Sequence, residues 1–294
     1  MAVESFGDIH ALPEDCLANV LSLTSPKDAC RLSAVATTFR SASQCDTVWD
    51  RFLPSDYRDL ISRAVDGSDS LLAKSNSKKD LYLHLCDHPI LIDGGRKSFS
   101  LEKRSGKKCY MLAARELVIV WGDTPYYWEW ITLPESRFSE VAELLIVCWF
   151  EIRGKINTEM LSPGTNYAAY LVFTCKSTAY GFDHPPVKAF FVEMGGHESE
   201  KRNVCLDPGG ARRLSNQFDP VGPMRTQQQE ATMETNTEYP NQRSDGWMEV
   251  KLGEYFVNEN GGDLEVCLME VEDGNGKSGL IIQGIEIRPK TVNN

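Results

Sequence analysis

The hydrophobic and polar positions change period once along this chain, near residue 110. From Leu12 to Phe52 apolar residues recur at three- and four-residue spacing, and Leu17, Val20, Leu21 and Leu23 make the apolar side of a helix. Pro13 suits a first helical position, and Glu14 and Asp15 favour the positive end of the helix dipole. Ser25-Pro26-Lys27-Asp28 starts a second helix, with Ser25 as N-cap, Pro26 at the first position and Asp28 reaching back. Cys30, Leu32 and Val35 supply its apolar side, a third piece spans Thr38 to Ser43, and Trp49 with Phe52 closes the set. Three short helices in about forty residues bury little surface, so this unit is expected to be marginal alone and to want a partner.

The pattern then loosens. Gly67, Ser68, Ser70, Ser75, Asn76 and Ser77 mark a flexible connection. Asp80 to Cys86 predicts a short helix capped near Ser77 and ended before Pro89, and Gly94-Gly95 predicts a turn into Ser98 to Lys103.

Beyond Tyr110 the alternation is that of strands. Ala113 to Trp130 holds a β-branched run from Leu117 to Trp121, a turn at Gly122-Asp123-Thr124-Pro125, and a second segment with Tyr126, Tyr127, Trp128 and Trp130. Such aromatic surface serves either as sandwich core or as a platform for stacking the flat apolar faces of a ligand. Further strands are expected at Val141 to Lys155, Tyr167 to Cys175, Val187 to Glu193, near Val204, Trp247 to Val257, Leu264 to Val271 and Gly279 to Ile287. With Gly, Pro and Asn turns and no alternating helices, they predict an antiparallel β-sandwich. In the last strand Leu280, Ile282, Ile285 and Ile287 share a core face if a bulge at Gly284 resets the register. Gly195 to Ser244 is poor in apolar residues and is expected to be a long mobile insertion. The fold class is therefore α+β in several domains: helices over 8–55, a linker with a short helix over 56–109, and a sandwich over 110–290.

Composition narrows the function. The chain has 294 residues, 41% hydrophobic and 25% charged, which suits two soluble globular domains. No run of eighteen apolar residues occurs, and Glu4 and Asp8 stand where a signal peptide carries basic residues, so an intracellular protein is expected. The formal charge of −11 disfavours nucleic acid and anionic membrane as partners. Nine basic residues from Lys74 to Lys108 are read as a solvated linker face. The nine cysteines include no C-x-x-C pair, and His84 and His88, four apart, have no third ligand, so no metal or other cofactor is expected. Asp123 and Glu254 are nominal partners for glycoside hydrolysis, but nothing in their spacing selects them, and no G-x-S-x-G supports a serine nucleophile. A non-catalytic binding protein is the expectation.

Two resemblances sharpen it. Leu12-Pro13-Glu14-Asp15-Cys16-Leu17, Val20-Leu21, Pro26, Asp28, Leu32, Val35, Phe39 and Trp49 resemble the F-box, the adaptor-docking module of cullin-based ubiquitin ligases. Cys16 stands where a larger aliphatic is usual and Phe39 where Trp or a basic residue is common. The resemblance implies that Leu12, Pro13, Leu17, Leu21, Val35 and Trp49 face a Skp-type adaptor, although Leu21, Leu32 and Val35 equally suit internal packing.

The blocks Ala113 to Leu117, Trp121 to Trp130, Glu140 to Leu144, Trp149, Gly154-Lys155-Ile156, Tyr167 to Phe173, Arg243 to Phe256 and Gly279 to Pro289 resemble the phloem protein 2 family, the Nictaba-like lectins. That family implies a jelly-roll-like sandwich and a carbohydrate site at Trp121, Trp128 and Glu254, with a further acid between Glu259 and Asp263. Trp149 and Trp247 are expected in the core, and Trp130 stays open. An F-box ahead of such a domain implies a ubiquitin-ligase receptor, nuclear and cytoplasmic. Its adaptor and cullin scaffold would lie on one side and a glycoprotein or glycan target on the other, or a protein target bound without sugar.

Overall fold

The computed structural model describes residues 12–65, 67, 71–72, 75–182, 185–193, 195–207, 237–259 and 261–290. The chain forms two compact units: residues up to 94 with 98–109, and residues 95–97 with 110 onward.

In the first unit the described helices are α1 (Glu14–Ser22), α2 (Pro26–Leu32), α3 (Thr37–Ala42), α4 (Asp46–Phe52), α5 (Tyr57–Ser62) and α6 (Lys78–Asp87). Their starts follow the capping chemistry. Ser25 Oγ accepts from Asp28 N at 3.1 Å and donates to the Asp28 carboxylate at 2.7 Å, and Ser77 Oγ accepts from Asp80 N at 3.1 Å. Pro13 is the N-cap of α1 rather than its first helical residue. α1 packs on α3 and α4 and buries Leu17 and Leu21 with Val48 and Trp49. Trp49 sits on a fourth helix, α4, donates its Nε1 to Ser43 O at 2.7 Å and lies 5.1 Å from the Tyr82 ring of α6.

That last contact corrects the expected linker. Residues 56–109 carry α5, α6, β1 (Ile90–Ile92) and β2 (Lys97–Leu101), and Leu81, Tyr82 and Leu85 are buried. The basic residues have partners: Lys108 with Asp56 at 2.7 Å, Lys103 with Asp87 at 2.8 Å, Lys97 with Glu116 at 3.0 Å, and Lys78 with Tyr57 and Asp50. Most of these cations are therefore matched by acids elsewhere on the chain, which local sequence does not reveal. Lys74, Ser68 and Ser70 lie outside the described residues.

The second unit is built on two sheets, antiparallel except between β10 and β11. After β3 (Lys108–Ala113) come β4 (Val118–Ile119), β5 (Trp128–Ile131), β6 (Val141–Leu144), β7 (Phe150–Asn157), β8 (Thr165–Tyr180), β9 (Val187–Glu193) and β10 (Arg202–Val204). Then follow β11 (Thr237–Glu238), β12 (Asn241–Gln242), β13 (Met248–Val257), β14 (Asp263–Glu270) and β15 (Ser278–Pro289). One sheet runs β3-β15-β8-β13-β12, with β6 paired to β15 and β5 to β6; the other runs β11-β10-β9-β14-β7-β4.

The register of β15 shifts between Ile282 and Gly284, where a Cβ would stand 1.9 Å from Leu112 O. The shift puts Leu280, Ile282, Ile285 and Ile287 in the core. Across the interior Gly154 of β7 lets the sheets close, since a Cβ there would come within 3.0 Å of Ile285 Cδ1.

The expected insertion is structured at both ends. Arg202–Val204 pairs with β9, Thr237–Glu238 with β10 and Asn241–Gln242 with β13, while 208–236 lie outside the described residues. A charged network fastens its returning end. Arg243 Nη1 donates to Glu249 and Glu286, each at 2.7 Å, and Arg288 reaches Glu249 at 2.6 Å while lying 3.9 Å over the Tyr170 ring. Burial works to raise the Glu286 carboxyl, but Arg243, Arg288 and Arg137 outweigh it and hold the group below its ordinary range.

Candidate functional site

On the first unit the residues expected to face an adaptor divide in two. Leu12, Pro13 and Val35 are exposed, Val35 at 72%, and Cys16, Val20 and Leu23 join them at the surface. Leu17, Leu21 and Trp49 are within the unit's own core, so their expected surface role is corrected: α3 and α4 already cover that face of α1. Residues 17 and 21 are one helical turn apart, and 20 and 23 occupy the next face round. Val20 and Leu23 carry the surface that sequence reasoning assigned to their neighbours.

On the second unit Trp121 and Trp128 part company. Trp121 ends the segment that β4 lays along β7, where Val120 N donates to Glu151 O at 3.1 Å. It adopts φ +63°, a left-handed conformation that costs a bulky side chain about 1–2 kcal/mol. The turn is held by Gly122 N to Ile119 O and Thr124 N to Trp121 O, both 2.9 Å. The indole is 55% exposed, with Tyr127 at 6.0 Å and the exposed Tyr126 edge-on to Tyr127 at 5.3 Å. Trp128, on β5, is 2% exposed and packs 6.5 Å from Phe150. A ring so enclosed offers no face to a ligand, so its expected binding role is corrected to core.

Glu254 lies elsewhere. On β13 it pairs opposite Ala168 of β8, whereas β5 and β6 reach β8 at the level of Thr174, through Ile281. Six residues of strand separate those levels, roughly 20 Å at about 3.3 Å per residue. Its carboxylate is engaged by Lys251 at 2.5 Å and Lys290 at 2.9 Å, and these hydrogen bonds bring its pKa down to about 2. The three residues carried over from the lectin pattern therefore do not converge. Of the acids expected after them, Asp263 pairs with Lys155 at 2.9 Å.

Beside Trp121 lie Tyr127 and, through it, Tyr126 and the Ile146 backbone, and this unit leaves other large apolar side chains exposed. Tyr127 O accepts from Leu145 N at 2.9 Å and places Ile146 beside the turn; Ile146 and Tyr180 both approach Gly276. Ile146, Tyr180 and Tyr126 are all exposed. Trp149, expected in the core, is 49% exposed and donates its Nε1 to Glu151 at 2.7 Å. Strand period explains this: Phe150, Ile152, Gly154 and Ile156 point inward, which leaves Trp149 in phase with Glu151, Arg153 and Lys155. That alternation was available in the sequence. Trp247 is buried as expected, donating to Glu135 O at 3.1 Å. Trp130 donates to Gly122 O at 3.0 Å beneath the Arg115 guanidinium at 3.7 Å, and Arg115 is held by Glu140.

The surface so formed can stack a flat apolar face on Trp121 and offer the exposed Asp123 carboxylate to hydroxyls beside it. Among the described residues no three His, Cys, Asp or Glu converge as metal ligands, and no helix is long and apolar enough to cross a membrane.

Comparison with known proteins agrees with both units. Residues 9–51 match the F-box domain family and residues 107–289 match the family described as Phloem protein 2. F-box protein PP2-B1 of Arabidopsis thaliana is 45% identical over 96% of this chain and 90% of its own length. F-box protein PP2-B10 of the same plant is 43% identical over 96% and 94%, and F-box protein PP2-B15 is 42% identical over 96% and 97%.

Proposed function

Because the chain belongs to the phloem protein 2 family and carries an F-box ahead of that domain, we propose that it is the substrate-receptor subunit of a Skp-cullin-F-box ubiquitin ligase. Its first unit docks a Skp-type adaptor, and through it the cullin, by Leu12, Pro13, Val20, Leu23 and Val35. Its second unit holds the target on the Trp121 face, and the chain itself performs no chemistry. It works in the nucleus and cytoplasm. What supports this reading is that each unit keeps large apolar side chains at its surface although its own core is filled.

The targets are glycoproteins bearing N-acetylglucosamine or mannose, gripped by Trp121 with Asp123. A protein target bound without sugar is the second reading, favoured by the number of large apolar side chains this unit leaves exposed: Tyr126, Ile146, Trp149 and Tyr180 as well as Trp121. A glycan array with the full-length protein separates them. Retention that Trp121→Ala abolishes supports the first, and no retention leaves only the second. Adaptor pull-down with Leu12→Ala and Pro13→Ala tests the ligase assignment, which undiminished capture would remove.

A further inference from the structure

We propose that Trp130 is the positioning residue of the Trp121 face: bonded to the Gly122 carbonyl and covered by Arg115, it fixes the turn that presents the Trp121 indole to a target. The inference rests on the assignment of Trp121 as the target-binding residue. Trp121 is a bulky residue at φ +63°, a conformation that persists only where its surroundings over-determine it. An indole 55% exposed brings little packing of its own to that task. The constraint has to come through the backbone of the turn.

Most hydrogen bonds of that turn are local. Gly122 N donates to Ile119 O and Thr124 N to Trp121 O, each at 2.9 Å, while Tyr127 N and Trp128 N share Thr124 O. These bonds close the turn on itself but do not tie its tip to a neighbouring strand. Trp130 supplies that tie: from β5, its Nε1 donates to Gly122 O at 3.0 Å. Gly122 is buried with little space around it, since a Cβ there would stand 2.9 Å from Ile119 O and 3.1 Å from Ile119 Cβ. A buried carbonyl that loses its donor is costly, so the Trp130 bond selects the arrangement of the turn.

The face of the Trp130 ring is held as well. Arg115, in the single 3-10 turn Ala114–Glu116 after β3, lays its guanidinium 3.7 Å from the ring centroid. Glu140, just before β6, fixes that guanidinium by two parallel bonds, from Nε and from Nη2, both 2.9 Å. A planar fork can stack and pair at once, which a lysine ammonium cannot. The Arg115 hydrogen bonds hold the Glu140 carboxyl below its ordinary range, so the pair is charged at neutral pH. Both side chains are 40% exposed, where an ion pair contributes little to stability. Its geometric effect is the larger one: segments far apart in sequence orient one indole, and that indole orients the turn.

The experiment follows the full-length protein, labelled with fluorotryptophan at its six tryptophans, by fluorine NMR, with chitotriose as the probe ligand. Trp121→Phe identifies the Trp121 signal. Trp130→Phe keeps a ring under Arg115 and removes the N–H donor, whereas Arg115→Ala leaves every aromatic ring in place, so a shift there reports movement of the turn. In both variants the Trp121 signal is expected to shift or broaden while those of Trp49 and Trp247 stay. If the released turn presents the indole in about one molecule in five, chitotriose binds about fivefold more weakly. Arg115→Lys, which keeps the charge but not the fork, should behave as Arg115→Ala does, and thermal unfolding of both should match wild type.

An unmoved Trp121 signal in Trp130→Phe and Arg115→Ala, or wild-type chitotriose affinity in both, overturns the proposal. A drop in thermal stability of Arg115→Ala with all tryptophan signals moving together makes these residues merely structural and likewise overturns it. If the wild type binds no chitotriose while the Trp121 signal moves in both variants, the sugar assignment of the face fails and the positioning role stands.

Discussion

Trp121 and Trp128 stand seven residues apart in one aromatic motif, yet the first indole is 55% exposed at a left-handed backbone position and the second is 2% exposed beneath the turn between them. The same residue type in the same motif thus has two physical jobs. Substituting them should separate binding from stability.

Trp128→Ala removes a buried indole that packs near Phe150 and is expected to cost about 3–5 kcal/mol. Trp121→Gly removes an exposed ring and relieves the φ of +63°, so stability should stay within about 1 kcal/mol of wild type or rise. Urea unfolding measures both, and target or glycan capture should be lost by Trp121→Gly with the fold intact.

Glu254 is held near 2 by hydrogen bonds from Lys251 and then Lys290. A carboxyl depressed from about 4.3 contributes stability that is complete above that pH and disappears as pH falls toward 2. Glu254→Gln should therefore remove part of the acid-side slope of stability between about pH 4.5 and 2, by about 0.5–1 kcal/mol for a partly exposed pair. Since Glu254 is on β13, in one sheet, and Trp121 follows β4, in the other, capture on a glycan array should not change.

Glu286 lies between Arg243, Arg288 and Arg137, with only 8% of its surface exposed. Glu286→Ala leaves those guanidiniums short of a partner and is expected to cost about 3–5 kcal/mol. Because the native group sits below its ordinary range, its contribution is present at neutral pH and fades as acid protonates it. Urea midpoints taken from pH 7 down to pH 3 should converge for wild type and variant.

On the first unit, Val20→Asp and Leu23→Asp change exposed positions and should leave thermal unfolding within about 0.5 kcal/mol of wild type. Adaptor pull-down should nevertheless fall below detection. Leu21→Ala should cost about 2–5 kcal/mol, since Leu21 is fully buried under α3 and α4, and should weaken capture only as the helices loosen.

The sequence by itself determined what is local. Ser25 and Ser77 announced two helix starts because an N-cap needs only its own next turn, and the bulge at Gly284 followed from the alternation of Leu280, Ile282, Ile285 and Ile287. The blocks of both families were legible for the same reason, being contiguous strings of residue types. Tertiary structure decided which apolar face is covered and by what. Leu21 and Val20 are adjacent letters, and only the placement of α3 and α4 makes one core and the other surface. Glu254 has the right chemistry for a sugar hydroxyl, but its lysines and its distance from Trp121 come from strand pairing across long stretches of chain. Burial and charge matching depend on the neighbours that folding supplies, and neighbours distant along the chain are not written in any window of it.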